Sequence, residues 1–394
     1  MKSIIRTLLV CAAFPLLFAA CSSDDEPSWD KTWDEKIIEQ GEEDYIYPDP
    51  HFIVSGVIIG GEVKRLTSEL VNALREEVAQ PAKYPVEVSV TAPGNLKEAI
   101  GRRALEMDAL SVSGPINSDD IRYVKLCVCS GKLRRVDFAK ALLEENTLPE
   151  NAFFASEYGS IVYVPLCKLV LPENIEKLDK SCLFNTLITE IELPERIILE
   201  ATCLANTPML GGEITISDGM VFVDPGISCY GQFVHAGDGS MIVNFKRKTV
   251  DFFNFSGFCC KEFNIAEGVE EIEPGALFGM SIESLTLPKS LKKIGEYSMC
   301  NISNLKSLYI NFTDASIVGI SESDYADMLE KMIIEIMEEG GDISAIEEFD
   351  SKFRNSFPFI ETTADAVYVP KGTKSSFAEK MPMLHFQNII EMDE

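Results

Sequence analysis

Few residues in this chain are of the types that do chemistry, and their spacing works against it. His51, His235 and His385 are its only imidazoles, and none belongs to a metal-binding spacing such as H-E-x-x-H. Cys229 and His235 offer a thiol and a base six positions apart, but Cys229 falls where the repeating pattern of the chain places small buried residues. Cys127-x-Cys129 and Cys259-Cys260 lack the second cysteine or histidine pair that a zinc site needs. Gly237-Asp238-Gly239-Ser240 lacks the lysine and the following helix of a phosphate loop. Glu338-Glu339 beside Gly340-Gly341-Asp342 departs from the ligand order of a calcium loop, so it reads as solvated surface. No catalytic residue, metal site or cofactor is expected, and the function to look for is binding rather than catalysis.

Cys21 stands apart. Lys2 and Arg6 precede an apolar run, Leu8 to Ala20, that is too short to span a bilayer and has the order of a secretory signal over residues 1–20. Ala19-Ala20-Cys21 resembles a bacterial lipobox, which implies cleavage before Cys21 and a lipid on its sulfur, although Phe18 replaces the usual leucine. A cut by ordinary signal peptidase beside an incidental cysteine is the alternative. Ser23-Asp24-Asp25-Glu26 resembles the acidic export signal of surface lipoproteins of Bacteroides and its relatives, and a solvated linker has the same composition. The resemblance implies an outer-membrane lipoprotein exposed at the cell surface.

The whole chain carries a formal charge of −28, and loss of residues 1–20 removes two bases and no acid. Such a chain is repelled by nucleic acid and by anionic membranes, so neither is an expected partner and the membrane link is the lipid alone. Of eleven cysteines, Cys11 leaves with the signal and Cys21 is acylated. The odd number left, irregularly spaced, is not a disulfide framework.

A repeat organises the rest. LTLPKSLKKIGEYSM from Leu285 and LVLPENIEKLDKSCLF from Leu169 share L-x-L-P-x-x-[LI]-x-x-[LI]. The second apolar position recurs at Leu171, Leu193, Ile216, Val243, Ile265, Leu287 and Ile310, at intervals of 22 to 27 residues, which means a solenoid. Seven residues on, Leu178, Val223, Val250, Ile272 and Ile294 are apolar, whereas Glu200 breaks the pattern. Each unit is expected to be a short strand with alternate residues inward, ended by proline, and stabilised by stacking on its neighbours. These stretches resemble the BspA-like leucine-rich repeats, best at Phe263 to Phe278 and Leu285 to Tyr297. The expected fold is an α/β leucine-rich-repeat solenoid with stacked short strands on one face.

Gly94 to Val124 resembles the module that precedes such repeats, with strands at Leu110–Val112 and Leu133–Phe138 and a helix capped at Asn117 to Asp119. Ala366 to Glu391 resembles the family's closing unit. The expected division is a signal at 1–20, an acidic tether at 21–50, an N-terminal module at 51–139, repeats at 140–314, a helical insertion at 315–363 and a closing unit at 364–394. In the tether, Trp29 and Trp33 either pack on the module or form a docking motif. In the insertion, Tyr325, Met328, Leu329, Met332, Ile333 and Ile336 make one helix face, with Ser323 as N-cap and Gly340-Gly341 as terminator. That face either caps the repeats or docks a partner.

Between inward strand positions lies an outward row, Val170, Glu192, Thr215, Ile242, Asn264, Thr286 and Tyr309, beside a second row from Lys168 to Ser307. The first row is the expected ligand-binding surface; a face that simply stays wet would look the same. The resemblance implies adhesion through a protein or glycan ligand. The alternative is an accessory subunit of a cell-envelope or nutrient-uptake complex.

Overall fold

The computed structural model describes residues 56–157, 160–223, 236–251, 255, 258–338, 357–383 and 385–393. Cys21, the export motif, Trp29, Trp33, His51, Cys229, His235 and Gly340-Gly341 lie outside them. The chain divides into two compact units, unit 1 from Met1–Leu210 with Met220–Gln232, and unit 2 from Gly211–Gly219 with Phe233–Glu394.

Unit 1 starts with the antiparallel hairpin β1 (Gly56–Ile59) and β2 (Glu62–Arg65), then α1 (Ser68–Ala79). Thr67 caps α1 by accepting the Leu70 N–H at 3.2 Å. Next come β3 (Pro85–Ser89), α2 (Leu96–Ile100), β4 (Ala109–Ile116) and α3 (Ser118–Ser130). The expected helix start is correct. Asn117 accepts the Asp120 N–H and the Asp120 carboxylate accepts the Asn117 N–H, each at 3.1 Å, a reciprocal capping box. Buried Asp120 also takes N–H groups from Gly94 at 2.7 Å and Leu96 at 3.0 Å, so one carboxylate ties the entry of α2 to that of α3.

Seven strands follow in unit 1: β5 (Arg135–Leu143), β6 (Thr147–Leu148), β7 (Ala155–Glu157), β8 (Ser160–Val162), β9 (Lys168–Val170), β10 (Lys177–Leu178) and β11 (Arg196–Leu199). β3, β4, β5 and β9 form a parallel sheet, in which Val86, Leu110, Val136 and Leu169 align and are buried. A second parallel ladder aligns Leu148, Leu178 and Leu199, all fully buried. The expected break at Glu200 is thus a one-residue deletion: Leu199, six positions after Leu193, fills the place of Leu178. One rung on, the Val223 N–H bonds Leu199 O at 2.9 Å just as Glu200 N–H bonds Leu178 O at 3.0 Å. The residue in line is therefore Phe222, not Val223.

Unit 2 opens with β12 (Glu213–Ile216). The next strand, β13 (Gly219–Phe222), joins the second ladder of unit 1 through β11. Then β14 (Ile242–Phe245), β15 (Thr249–Val250), β16 (Cys259–Ile265), β17 (Glu271–Ile272), β18 (Ser281–Leu287), β19 (Lys293–Ile294), β20 (Ser307–Ile310), α4 (Glu322–Glu338), β21 (Ala366–Val369), α5 (Lys374–Ala378) and β22 (Ile389–Glu391) complete the chain. The order β12-β14-β16-β18-β20-β21-β22 makes a seven-stranded parallel sheet, with β15-β17-β19 as its shorter companion. Pro288 and Pro370 directly follow β18 and β21, where a missing N–H ends the strand.

Inward rows Ile214, Val243, Phe263, Leu285 and Leu308, and Ile216, Phe245, Ile265, Leu287 and Ile310, are buried. Around Phe255 the packing is aromatic: its ring meets Phe263 at 5.1 Å and Phe245 at 5.8 Å, both edge-on. β20 pairs directly with β21, so the insertion leaves and rejoins the sheet between adjacent strands. The cap of α4 is Ser321 rather than Ser323: the Asp324 N–H bonds Ser321 Oγ at 3.2 Å, and the Tyr325 N–H bonds Ser321 O at 3.0 Å. Ser321 lies against the closing unit through a bridge to Lys380, which fixes where the helix begins.

A candidate binding face on the unit 2 sheet

The groups with chemical potential are placed for structure. Cys127, Cys129, Cys167, Cys182, Cys203, Cys260 and Cys300 are buried free thiols. Burial pushes Cys127 up to about 11 and Cys167 up to about 12, and carries Cys182 and Cys260 well above the ordinary thiol value. Those four thiols stay protonated at neutral pH and are poor nucleophiles and ligands. Cys259 is half-buried, and burial raises it too. The His385 Nε2 lies 2.7 Å from Thr362 O, and the ring packs on Phe386 at 4.2 Å, a structural setting. A concavity of about 630 Å³ in unit 1 is rimmed by Glu144, Glu145 and Asp179 over Ile116 and Ile121, with no thiol or imidazole in its lining. Among the described residues no group of three or more His, Cys, Asp or Glu side chains could hold a metal, and no helix is long and apolar enough to cross a membrane.

What remains is the outward face of the seven-stranded sheet. Its register aligns Thr215, Asn244, Asn264, Thr286, Tyr309, Tyr368 and Ile390 in one row, all half-buried. Tyr309 and Tyr368 stack with ring centroids 4.6 Å apart and planes 11° from parallel. The neighbouring row is Glu213, Ile242, Glu262, Ser284, Ser307 and Ala366.

Of the expected row, Thr215, Asn264, Thr286 and Tyr309 therefore stand in line. Ile242 does not: it lies beside Glu213 and Glu262, and Asn244 holds the place assigned to it. The slip is two residues because Met241, Val243 and Phe245 are all buried, so alternation fits either register and the sidedness is unchanged. Val170 is 50% exposed, on a different sheet, in line with Ser111 and Asp137 of unit 1. Glu192 is exposed outside any strand, because Ile191 to Pro194 forms none and that repeat has only its second-ladder strand, β11, from Arg196. Asn244, Tyr368 and Ile390 were missed. The signal for Tyr368 was present in AVYVP, whose alternation matches SLYI of β20 across the insertion.

Stacked parallel strands at intervals of some twenty residues, each feeding a turn and a second short strand, define a leucine-rich-repeat protein. The repeats are of the BspA type: the family described as BspA type leucine rich repeat region matches residues 130–222 and 240–335 in six copies. The chain is a BspA-like leucine-rich-repeat protein, and repeat proteins of this kind are generally non-catalytic. Among solved structures, the chain is similar to the crystal structure of the pneumococcal vaccine antigen PcpA at 11% identity, covering 87% of this chain and 88% of that one with a TM-score of 0.22. No curated protein matches it.

Proposed function

We propose that this chain is a surface-exposed lipoprotein that binds a protein or glycan ligand on the outward face of its unit 2 sheet, and that the binding serves adhesion. The observation that carries the reading is the row from Thr215 to Tyr368: six aligned strands present polar, uncharged side chains from a rigid sheet whose inward rows hold the core. Outward residues on such a sheet can change without loss of the fold, which frees them for a ligand. The accessory-subunit reading places docking on α4. Against it, Tyr325 is 4% exposed and Met328, Leu329, Met332 and Ile333 are already half-buried in the isolated chain, which favours packing within unit 2.

Two experiments test the proposal. Cys21→Ser leaves no sulfur to acylate, so the protein should move from the detergent phase to the aqueous phase; equal partition of parent and variant overturns the anchor. For the face, Asn244→Lys with Asn264→Lys and Thr286→Lys sets three like charges on adjacent strands of an outward row. Cells displaying the parent should adhere to surfaces coated with matrix protein or with glycan, and cells displaying the variant should not, with its thermal midpoint unchanged. Adherence that survives the change, or a parent that adheres to neither surface, overturns the binding face.

A further inference from the structure

We infer that the C-terminal part of this face, Ser284, Thr286, Ser307, Tyr309 and Tyr368, is a subsite for a neutral glycan. The inference rests on the binding face proposed above and names its ligand. On a chain of charge −28, in which 25% of residues are charged, these adjacent positions on β18, β20 and β21 carry hydroxyls and no charge. Two ion pairs border them, Lys306 with Glu283 at 2.9 Å and Lys261 with Glu262 at 3.5 Å, and Asp365, just before β21, is a further acid on that edge. In unit 1 the corresponding outward rows include charges, Glu87 and Asp137 beside Ser111 and Val170 in one and Arg135 and Lys168 in the next. Neutrality is thus a feature of this patch, not of the repeat.

Each hydroxyl both donates and accepts a hydrogen bond, so a small area presents a dense array of either kind. Parallel strands repeat that array every 4.7–4.9 Å. A polymer of uncharged sugars presents a matching array, hydroxyls of both characters recurring along an extended chain. The stacked tyrosines are held rigid by each other, so presenting their phenols to a ligand costs little side-chain entropy. A protein partner would ask for something different. Protein interfaces centre on apolar, aromatic or arginine anchors in a desolvated pocket, and the aromatics of this patch, Tyr309 and Tyr368, are stacked on each other rather than free to enter a partner's pocket. None of the large apolar side chains that stand exposed belongs to this patch. An anionic glycan is disfavoured by the charge of the whole chain.

The test is affinity electrophoresis of the full chain, purified in detergent, through gels containing a neutral polysaccharide (dextran, mannan, laminarin or arabinoxylan) or an anionic one (heparin or polygalacturonate). At least one neutral polymer should retard the protein and neither anionic polymer should. Tyr309→Phe with Tyr368→Phe keeps the stacked rings and removes the phenol hydroxyls, and Ser307→Asp adds one charge at the centre. Each should weaken retardation at least tenfold, with a thermal midpoint equal to that of the parent. Retardation by no neutral polymer, equal retardation by the anionic ones, or retardation unchanged in both variants overturns the inference. Adhesion to matrix protein that is lost in the lysine variant, without any polysaccharide binding, leaves the face standing and overturns only the glycan. Insensitivity of every ligand to the lysine change overturns both.

Discussion

Leu287→Ala should lower the stability of unit 2 by about 2–5 kcal/mol, whereas Thr286→Ala, its neighbour on the same strand, should change it by no more than about 0.5 kcal/mol. Leu287 is fully buried and aligned with Ile310 on the next rung, so truncation removes apolar contact and leaves a cavity that stacked rungs cannot collapse around. Thr286 points to the other face between Asn264 and Tyr309, where water takes the place of lost atoms. Denaturant midpoints of the two variants make the comparison. Equal losses at both sites would mean that the faces of the sheet are exchanged, and the binding face would fall with them.

Why the repeat was visible in sequence, and parts of the site were not, follows from the range of the signals. Alternation is local, and in β18 a proline ends it, so β18 and β20 could be located from a dozen residues each. Register is not local: only the partner strand decides whether Val243 or Phe245 pairs with the rung before, and both are apolar. The deletion at Leu199 has the same origin, since a repeat one residue short still closes its ladder. The insertion hid Tyr368 by separating β20 from β21 in sequence while leaving them paired in space. The hairpin and α1 pack on partners far along the chain. Val57, Leu74 and Val78 form one core with Tyr163, Cys167, Leu187 and Met209, and the Arg75 guanidinium donates to Met209 O at 3.0 Å. Leu70, Leu74 and Val78 fall at helical spacing and mark the buried face of α1, but the surface that covers it is built a hundred residues later.

Gly114 supplies the second large effect, and its cause is a close approach of backbones. It lies in β4 just past the register shift between Ser111 and Ser113, at φ +88°, and a Cβ there would fall 2.1 Å from Val90 O. Val90 is held in turn, since its N–H bonds Ser113 O at 2.8 Å, so neither chain can retreat without breaking the pairing. Gly60, in the β1–β2 turn at φ +66°, provides the comparison, with nothing within 4 Å of its added Cβ. Gly60→Ala should therefore cost only the left-handed backbone penalty, about 1–2 kcal/mol. Gly114→Ala carries that penalty and the collision together, and should cost more than about 3 kcal/mol or prevent unit 1 from folding. Denaturant unfolding of the two variants decides it. Similar losses would mean that the backbones at Val90 and Gly114 are not in contact, and that the bend of β4, which carries the chain to the Asn117 cap of α3, is set by something else.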